Sequence, residues 1–157
     1  MKFFRKISLI SLIISVGFIR DFIFVHVNYQ INHLYYHNYD YQLPSLLSFF
    51  NRFDYSTLYY SKYLLTILFI LIYFLLAGWA VMEFIGEKKY LQWVRFSYLI
   101  VIFIAAIALI VITSFSNFST AYNTTRKIIE LVESPLIIMA LLPLIYIHKK
   151  QTYAKGQ

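Results

Sequence analysis

The sequence predicts an all-α fold: a four-helix transmembrane bundle with a short interfacial helix on its outer side. Three observations carry this expectation. Apolar residues make up 61% of the 157 and charged residues only 13%, whereas soluble domains average about 45–50% apolar and about 25% charged. So short a chain cannot bury that excess against itself, and a lipid bilayer must solvate it. Two runs, residues 63–82 and 96–113, carry no charge over 20 and 18 positions. At 1.5 Å per residue, about 20 apolar residues cross a hydrocarbon core of about 30 Å. Finally, Lys and Arg are distributed unevenly about these runs, as membrane topology requires.

The spans are expected at about 7–27, 63–84, 96–114 and 126–147, in a single membrane domain covering 1–157. The first opens on Lys2, Arg5 and Lys6, is apolar over 7–19, is interrupted by Arg20 and Asp21, and resumes at 22–25. A basic start before an apolar run resembles a signal peptide. Phe18, Ile19 and Arg20, however, stand where a small-x-small cleavage site belongs, so an uncleaved anchor is expected. The last apolar run, 135–147, has 13 residues and is too short to cross alone. Extended back to Arg126 it gains the length of about 33 Å that a crossing needs, and draws Glu130 and Glu133 toward the membrane.

With the N-terminal end inside, the inner segments hold Lys2, Arg5, Lys6, Lys88, Lys89, Arg95, Lys149, Lys150 and Lys155. The outer segments hold Arg20, Arg52, Lys62, Arg126 and Lys127. The inner acids are Glu83 and Glu87, and the outer acids are Asp21, Asp40, Asp54, Glu130 and Glu133, so the whole formal charge of +7 falls on the inner face. This predicts a bacterial inner membrane protein with N- and C-termini both cytoplasmic. Small basic clusters at helix ends are not the concentrated patch that nucleic-acid binding uses, so no nucleic-acid partner is expected.

Between the first two spans lies the one sizeable outer segment, about 26–62, rich in tyrosine. A phenol suits the interface because its ring is apolar and its hydroxyl seeks water. Tyr36, Tyr39, Tyr59 and Tyr60 are the candidate partner surface, although AT-rich codon usage also supplies many tyrosines. Within the segment, Leu46, Phe49, Phe50 and Phe53 share one helical face, with Ser48, Asn51 and Arg52 toward the other. A short helix lying on the outer surface is expected there. Asp54 or Ser56 is expected to cap the following helix. Ala77, Gly78 and Ala80, and Ala105, Ala106 and Ala108, are small residues that permit close helix approach.

Three polar constellations are candidates for chemistry. Arg126, Glu130 and Glu133 fall within about 60° of one another on a helix, and intramembrane carboxylates are functional candidates. They equally form a structural group at a helix start, where an Arg126–Glu130 pair and the helix dipole both favour acids. His26, His33 and His37 would form a metal-ligand stripe on an unbroken helix, though interfacial histidines without metal fit as well. Arg20 and Asp21 point about 100° apart and are not expected to pair ideally. Arg20 either snorkels to the headgroups or reaches Asp54 or Glu133.

The chain has no cysteine and none of the nucleotide-binding, nucleophile-elbow or zinc-protease motifs. No catalytic residue, cofactor or metal is therefore expected, and the protein is expected not to be an enzyme. A lipid bilayer and another integral membrane protein are the expected partners. The alternative is a small ion- or proton-coupled membrane protein, or a membrane enzyme, using the Arg126/Glu130/Glu133 face.

Several segments carry a family resemblance: Arg20-Asp21-Phe22-Ile23-Phe24 followed by Asn28, then Leu58-Tyr59-Tyr60-Ser61-Lys62-Tyr63. Glu87-Lys88-Lys89-Tyr90-Leu91 and Ser134-Pro135-Leu136, running through Leu142-Pro143 to a basic tail, complete it. Together they resemble the small exosortase-associated membrane proteins of Bacteroidota-type bacteria. The resemblance implies a helper of an exosortase, a membrane-embedded enzyme that processes C-terminal sorting signals. Such enzymes resemble cysteine transpeptidases, so a chain without cysteine would assist one rather than be one. It carries over no active-site residue.

Overall fold

The structure is a computed structural model, and it describes residues 2–36, 42–115 and 117–155. Five α-helices are present among them: α1 (Lys2–Tyr36), α2 (Tyr55–Phe84), α3 (Leu91–Phe115), α4 (Phe118–Val132) and α5 (Leu136–Lys155). Two short 3-10 helices, Ser45–Arg52 and Lys88–Tyr90, precede α2 and α3. No strand occurs among the described residues, so the all-α expectation holds. By length and composition α1, α2 and α3 can each cross a bilayer, and α4 with α5 adds a further crossing if the bent pair counts as one. This is the architecture of a multi-pass membrane protein.

α1 and α2 are both longer than their apolar runs. α1 continues for 35 residues, straight through Arg20 and Asp21 to Tyr36. No proline or glycine interrupts it after Gly17, and two polar side chains do not break a helix whose backbone bonds are internal. α2 begins at Tyr55, eight positions before its apolar run. The Asp54 carboxylate accepts the Thr57 backbone N–H at 3.2 Å, and the Asp54 carbonyl accepts that of Leu58 at 3.0 Å. Of the two expected caps, Asp54 is therefore the one used.

The fourth span departs from its expected form. It is two helices, bent by 54° across Glu133, Ser134 and Pro135. Proline has no N–H to donate and excludes the α conformation from the residue before it, so α4 ends ahead of Pro135. α4 also starts at Phe118, eight residues before Arg126, where a loop had been expected. Ala121, Thr125 and Val132 are buried and fall within about 40° on the helix, whereas Arg126 and Glu130 lie roughly opposite. α4 is thus an amphipathic helix, and α5 holds the apolar run.

The chain divides into two compact units, residues 14–69 and residues 1–13 with 70–157. In the first, Val27, Ile31, Leu43, Leu47, Phe50 and Leu58 form the core, with Ile23, Leu34, Phe53 and Leu65 packed against it. The segment 45–52 is helical as expected, but of 3-10 type, with the Leu47 N–H donating to the Pro44 carbonyl at 2.8 Å. Three residues per turn re-sort the faces. Leu47 and Phe50 turn inward, while Leu46 and Phe49 stay exposed, on the same side as Arg52. The expected single apolar face is therefore split in two.

In the second unit α3 packs mainly against α4, with Ala105 and Ala121 both buried. Ala77 and Ala80 are buried on α2 as well. Close-packed small residues of this kind hold membrane helices together where the hydrophobic effect cannot. The Arg5 guanidinium lies 3.3 Å from Glu83 at the end of α2, and the Lys149 ammonium lies 2.7 Å from Glu87. The start of α1, the α2–α3 connection and the last turns of α5 therefore share one end of this unit. α4 and α5 return the chain to the end from which α3 departs.

Candidate functional site

The tyrosines of residues 14–69 form a connected surface. Tyr55, Tyr59 and Tyr63 recur every four residues on α2 and so line one helical face. Ring centroids are 6.0 Å apart for Tyr55–Tyr59 and 5.4 Å for Tyr59–Tyr63, and the Tyr63 hydroxyl donates to that of Tyr59 at 2.9 Å. Tyr60 stands 5.8 Å from Tyr59. The row continues onto α1, with Tyr35 at 5.5 Å from Tyr55 and Tyr36 at 4.8 Å from Tyr35. Tyr36, Tyr60 and Tyr35 are 71%, 70% and 60% exposed, so the outer edge of this ladder is open to contact. Beneath it Leu58 is fully buried and fixes the register of α2.

Of the expected partner surface, Tyr36, Tyr59 and Tyr60 belong to the ladder, and Tyr39 lies outside the described residues. Tyr35, Tyr55 and Tyr63 join them. The four-residue spacing of 55, 59 and 63 is the sequence signal that identifies two of these. Tyr35 becomes a member only because α1 runs unbroken to Tyr36.

The polar constellations are placed differently from one another. Arg126 and Glu130 form a partly exposed pair, with Nε to Oε1 at 3.2 Å and side chains 37% and 44% exposed. They sit in the body of α4, not at its start, so the N-terminal dipole does not favour Glu130 there. Glu133 lies past the last turn of α4 at the helix break and is only 3% exposed. Arg20 pairs with its neighbour after all, Nη1 to Asp21 Oδ1 at 2.7 Å. A flexible three-methylene stem overcomes the divergence of adjacent Cβ vectors, and the guanidinium also stands 5.1 Å over the Phe24 ring. The Arg20 side chain is only 15% exposed.

His26 and His33 lie on the continuous α1, and His37 is outside the described residues. The His26 ring meets Phe22 edge-on at 4.5 Å, and His33 Nδ1 is buried without a hydrogen-bond partner. Among the described residues no three His, Asp or Glu side chains stand together as metal ligands.

A latch at the basic end had no counterpart in the sequence reading. Gly86 adopts φ +79, a left-handed turn that brings Glu87 back beneath α5. Glu87 is paired with Lys149 at 2.7 Å and Lys89 at 2.8 Å, and accepts the Tyr153 hydroxyl at 3.2 Å. Lys149 also donates to the Ile85 carbonyl at 2.8 Å. Hydrogen bonds from Lys149 and then Lys89 hold the Glu87 carboxyl down at about 2. A residue separation of about sixty hides such a pair from sequence patterns.

Comparison of the chain with family models, with curated proteins and with solved structures returns no match.

Proposed function

We propose that this chain is a non-enzymatic accessory subunit of the bacterial inner membrane, with both ends cytoplasmic, that assists an exosortase-type sorting enzyme. The tyrosine ladder carries this reading. Six phenol rings in mutual contact offer a wide, rigid, amphipathic surface, and tyrosine is among the residues enriched in protein interfaces. Such a surface costs little conformational entropy when covered, because each side chain has only two rotatable angles and its neighbours already fix it. The choice of enzyme class follows from the family resemblance of the sequence. The orientation follows from the concentration of basic residues around Arg5, Lys89 and Lys149.

The test is co-purification. The intact protein brings down the sorting enzyme, and the combined variant Tyr36→Ala, Tyr59→Ala, Tyr60→Ala loses it while still accumulating in the membrane. Undiminished recovery with the triple variant sinks the reading. Reporter fusions after Gly86 and at Gln157 should both register as cytoplasmic.

One observation favours a second reading, an ion- or proton-coupled role. Glu133 is a buried carboxylate at a break between two helices, a place where membrane proteins often build ion sites. Glu133→Gln and Glu130→Gln leave function intact under the accessory reading. If either variant loses function while it still binds its partner, the coupled reading replaces it.

A further inference from the structure

The phenols of the ladder stand close enough to react with one another. The Tyr63 hydroxyl donates to that of Tyr59 at 2.9 Å, and the two ring centroids are 5.4 Å apart with planes inclined by 77°. One-electron oxidation of phenols joins them by a carbon–carbon bond ortho to the oxygens. In that product the two hydroxyls hydrogen-bond to each other across a twisted pair of rings. Tyr59 and Tyr63 are four residues apart on α2, a spacing that sets their Cβ atoms about 5–6 Å apart on one helix face. The fold therefore holds this pair in the arrangement that the coupled product keeps.

The other rings of the ladder are placed to deliver oxidation to that pair. Tyr55 and Tyr59 stack with planes at 22° and centroids 6.0 Å apart, an arrangement that brings faces together and not the edges that carry the ortho carbons. Tyr36 and Tyr60 are 71% and 70% exposed, within reach of an oxidant, whereas Tyr59 is half-buried. Tyr60 stands 5.8 Å from Tyr59, and Tyr36 connects to it through Tyr35 and Tyr55 in steps of 4.8, 5.5 and 6.0 Å. A phenoxyl radical exchanges an electron and a proton with a phenol in contact. Radicals formed at the exposed edge thus pass from ring to ring, until bond formation between Tyr59 and Tyr63 traps them.

We propose that Tyr59 and Tyr63 are a site of oxidative tyrosine–tyrosine coupling, driven by hydrogen peroxide through a peroxidase acting on the exposed rings. The peroxide takes the two hydroxyl hydrogens and leaves as two waters. The two phenoxyl radicals join at carbons ortho to their oxygens, and the hydrogens on those carbons shift to the oxygens and restore both phenols. The new bond staples one turn of α2 and fixes the centre of the ladder. It needs only the ring geometry, so it stands apart from the accessory role and from any protein partner.

The test is made on the full chain in neutral detergent, treated with a haem peroxidase and limiting hydrogen peroxide and then digested for peptide mass spectrometry. The expected result is the blue fluorescence of coupled phenols and a link within one chain, lighter by two hydrogen atoms, that maps to Tyr59 and Tyr63. Tyr59→Phe and Tyr63→Phe each lose that link, and Tyr60→Phe keeps it, with circular dichroism confirming the helix content of each variant. Unfolding the chain before oxidation removes the preference for this pair. The absence of coupling overturns the proposal, as do links formed only between chains. Links spread evenly over the other tyrosines of the folded chain, or a preference for Tyr59 and Tyr63 that survives unfolding, overturn it too.

Discussion

The tyrosine-rich segment and the basic cluster around Glu87 treat their polar groups in opposite ways. Around Glu87 the polar groups are spent inward, on Lys89, Lys149 and Tyr153, and they tie the α2–α3 turn to α5. Around Tyr59 the contacts are ring on ring, and the outer edges of Tyr35, Tyr36 and Tyr60 are left uncovered. A region that satisfies its own groups is built for stability. One that orders a row of amphipathic rings and then leaves it open is built for contact. Under the proposed accessory role, the open row of rings is the recognition surface and the Glu87 cluster is a structural clasp.

Substitutions sharpen this contrast in proportion to burial. Leu58→Ala removes a fully buried side chain beneath the ladder and should cost about 2–5 kcal/mol. Thermal unfolding in detergent should show it, with loss of partner recovery as the rings lose their register. Gly86→Ala meets no atom within 4 Å, so its penalty is confined to the positive φ of +79, about 1–2 kcal/mol. It should loosen the clasp and leave partner recovery intact, and a loss of recovery would break the division of labour.

The clasp also has a defined pH response. The folded carboxyl of Glu87 is depressed from 4.5 to about 2, so its pairing stabilises the folded state above the higher value. That contribution is lost as pH falls from there through the lower one. Amide exchange near Tyr153 should be equally protected at pH 7 and pH 5 and should rise only below about pH 4. The smallest effect belongs to Asp21→Asn. Asp21 is 66% exposed, and such a pair is worth under about 1 kcal/mol.

Much of this fold was legible from the residues because its causes are local. Uncharged runs set α2 and α3, and Asp54 set the start of α2, whereas of the repeat at 55, 59 and 63 only Tyr59 was among the expected surface residues. Two features misled. Apolar residues at 46, 49, 50 and 53 fit a 3.6-residue period, but the chain takes three residues per turn there, which exposes Leu46 and buries Leu47. Counting length for a fourth span joined 126 to 147 across Pro135, where α4 ends and the chain bends by 54° before α5. The Glu87 latch was not legible at all, since nothing near Glu87 in the chain announces Lys149. Charge alone marks both as residues of one membrane face, which narrows the partners without choosing one.

Site-specific photo-crosslinking tests the recognition surface most directly. A photoreactive residue is placed at Tyr60, 70% exposed on the ladder, or at Tyr146 of α5, 61% exposed and not a member of it. The account predicts one discrete adduct from Tyr60, identified by mass spectrometry as a membrane-embedded sorting enzyme, and no such adduct from Tyr146. An equal yield from both positions, or only lipid adducts from Tyr60, would contradict it.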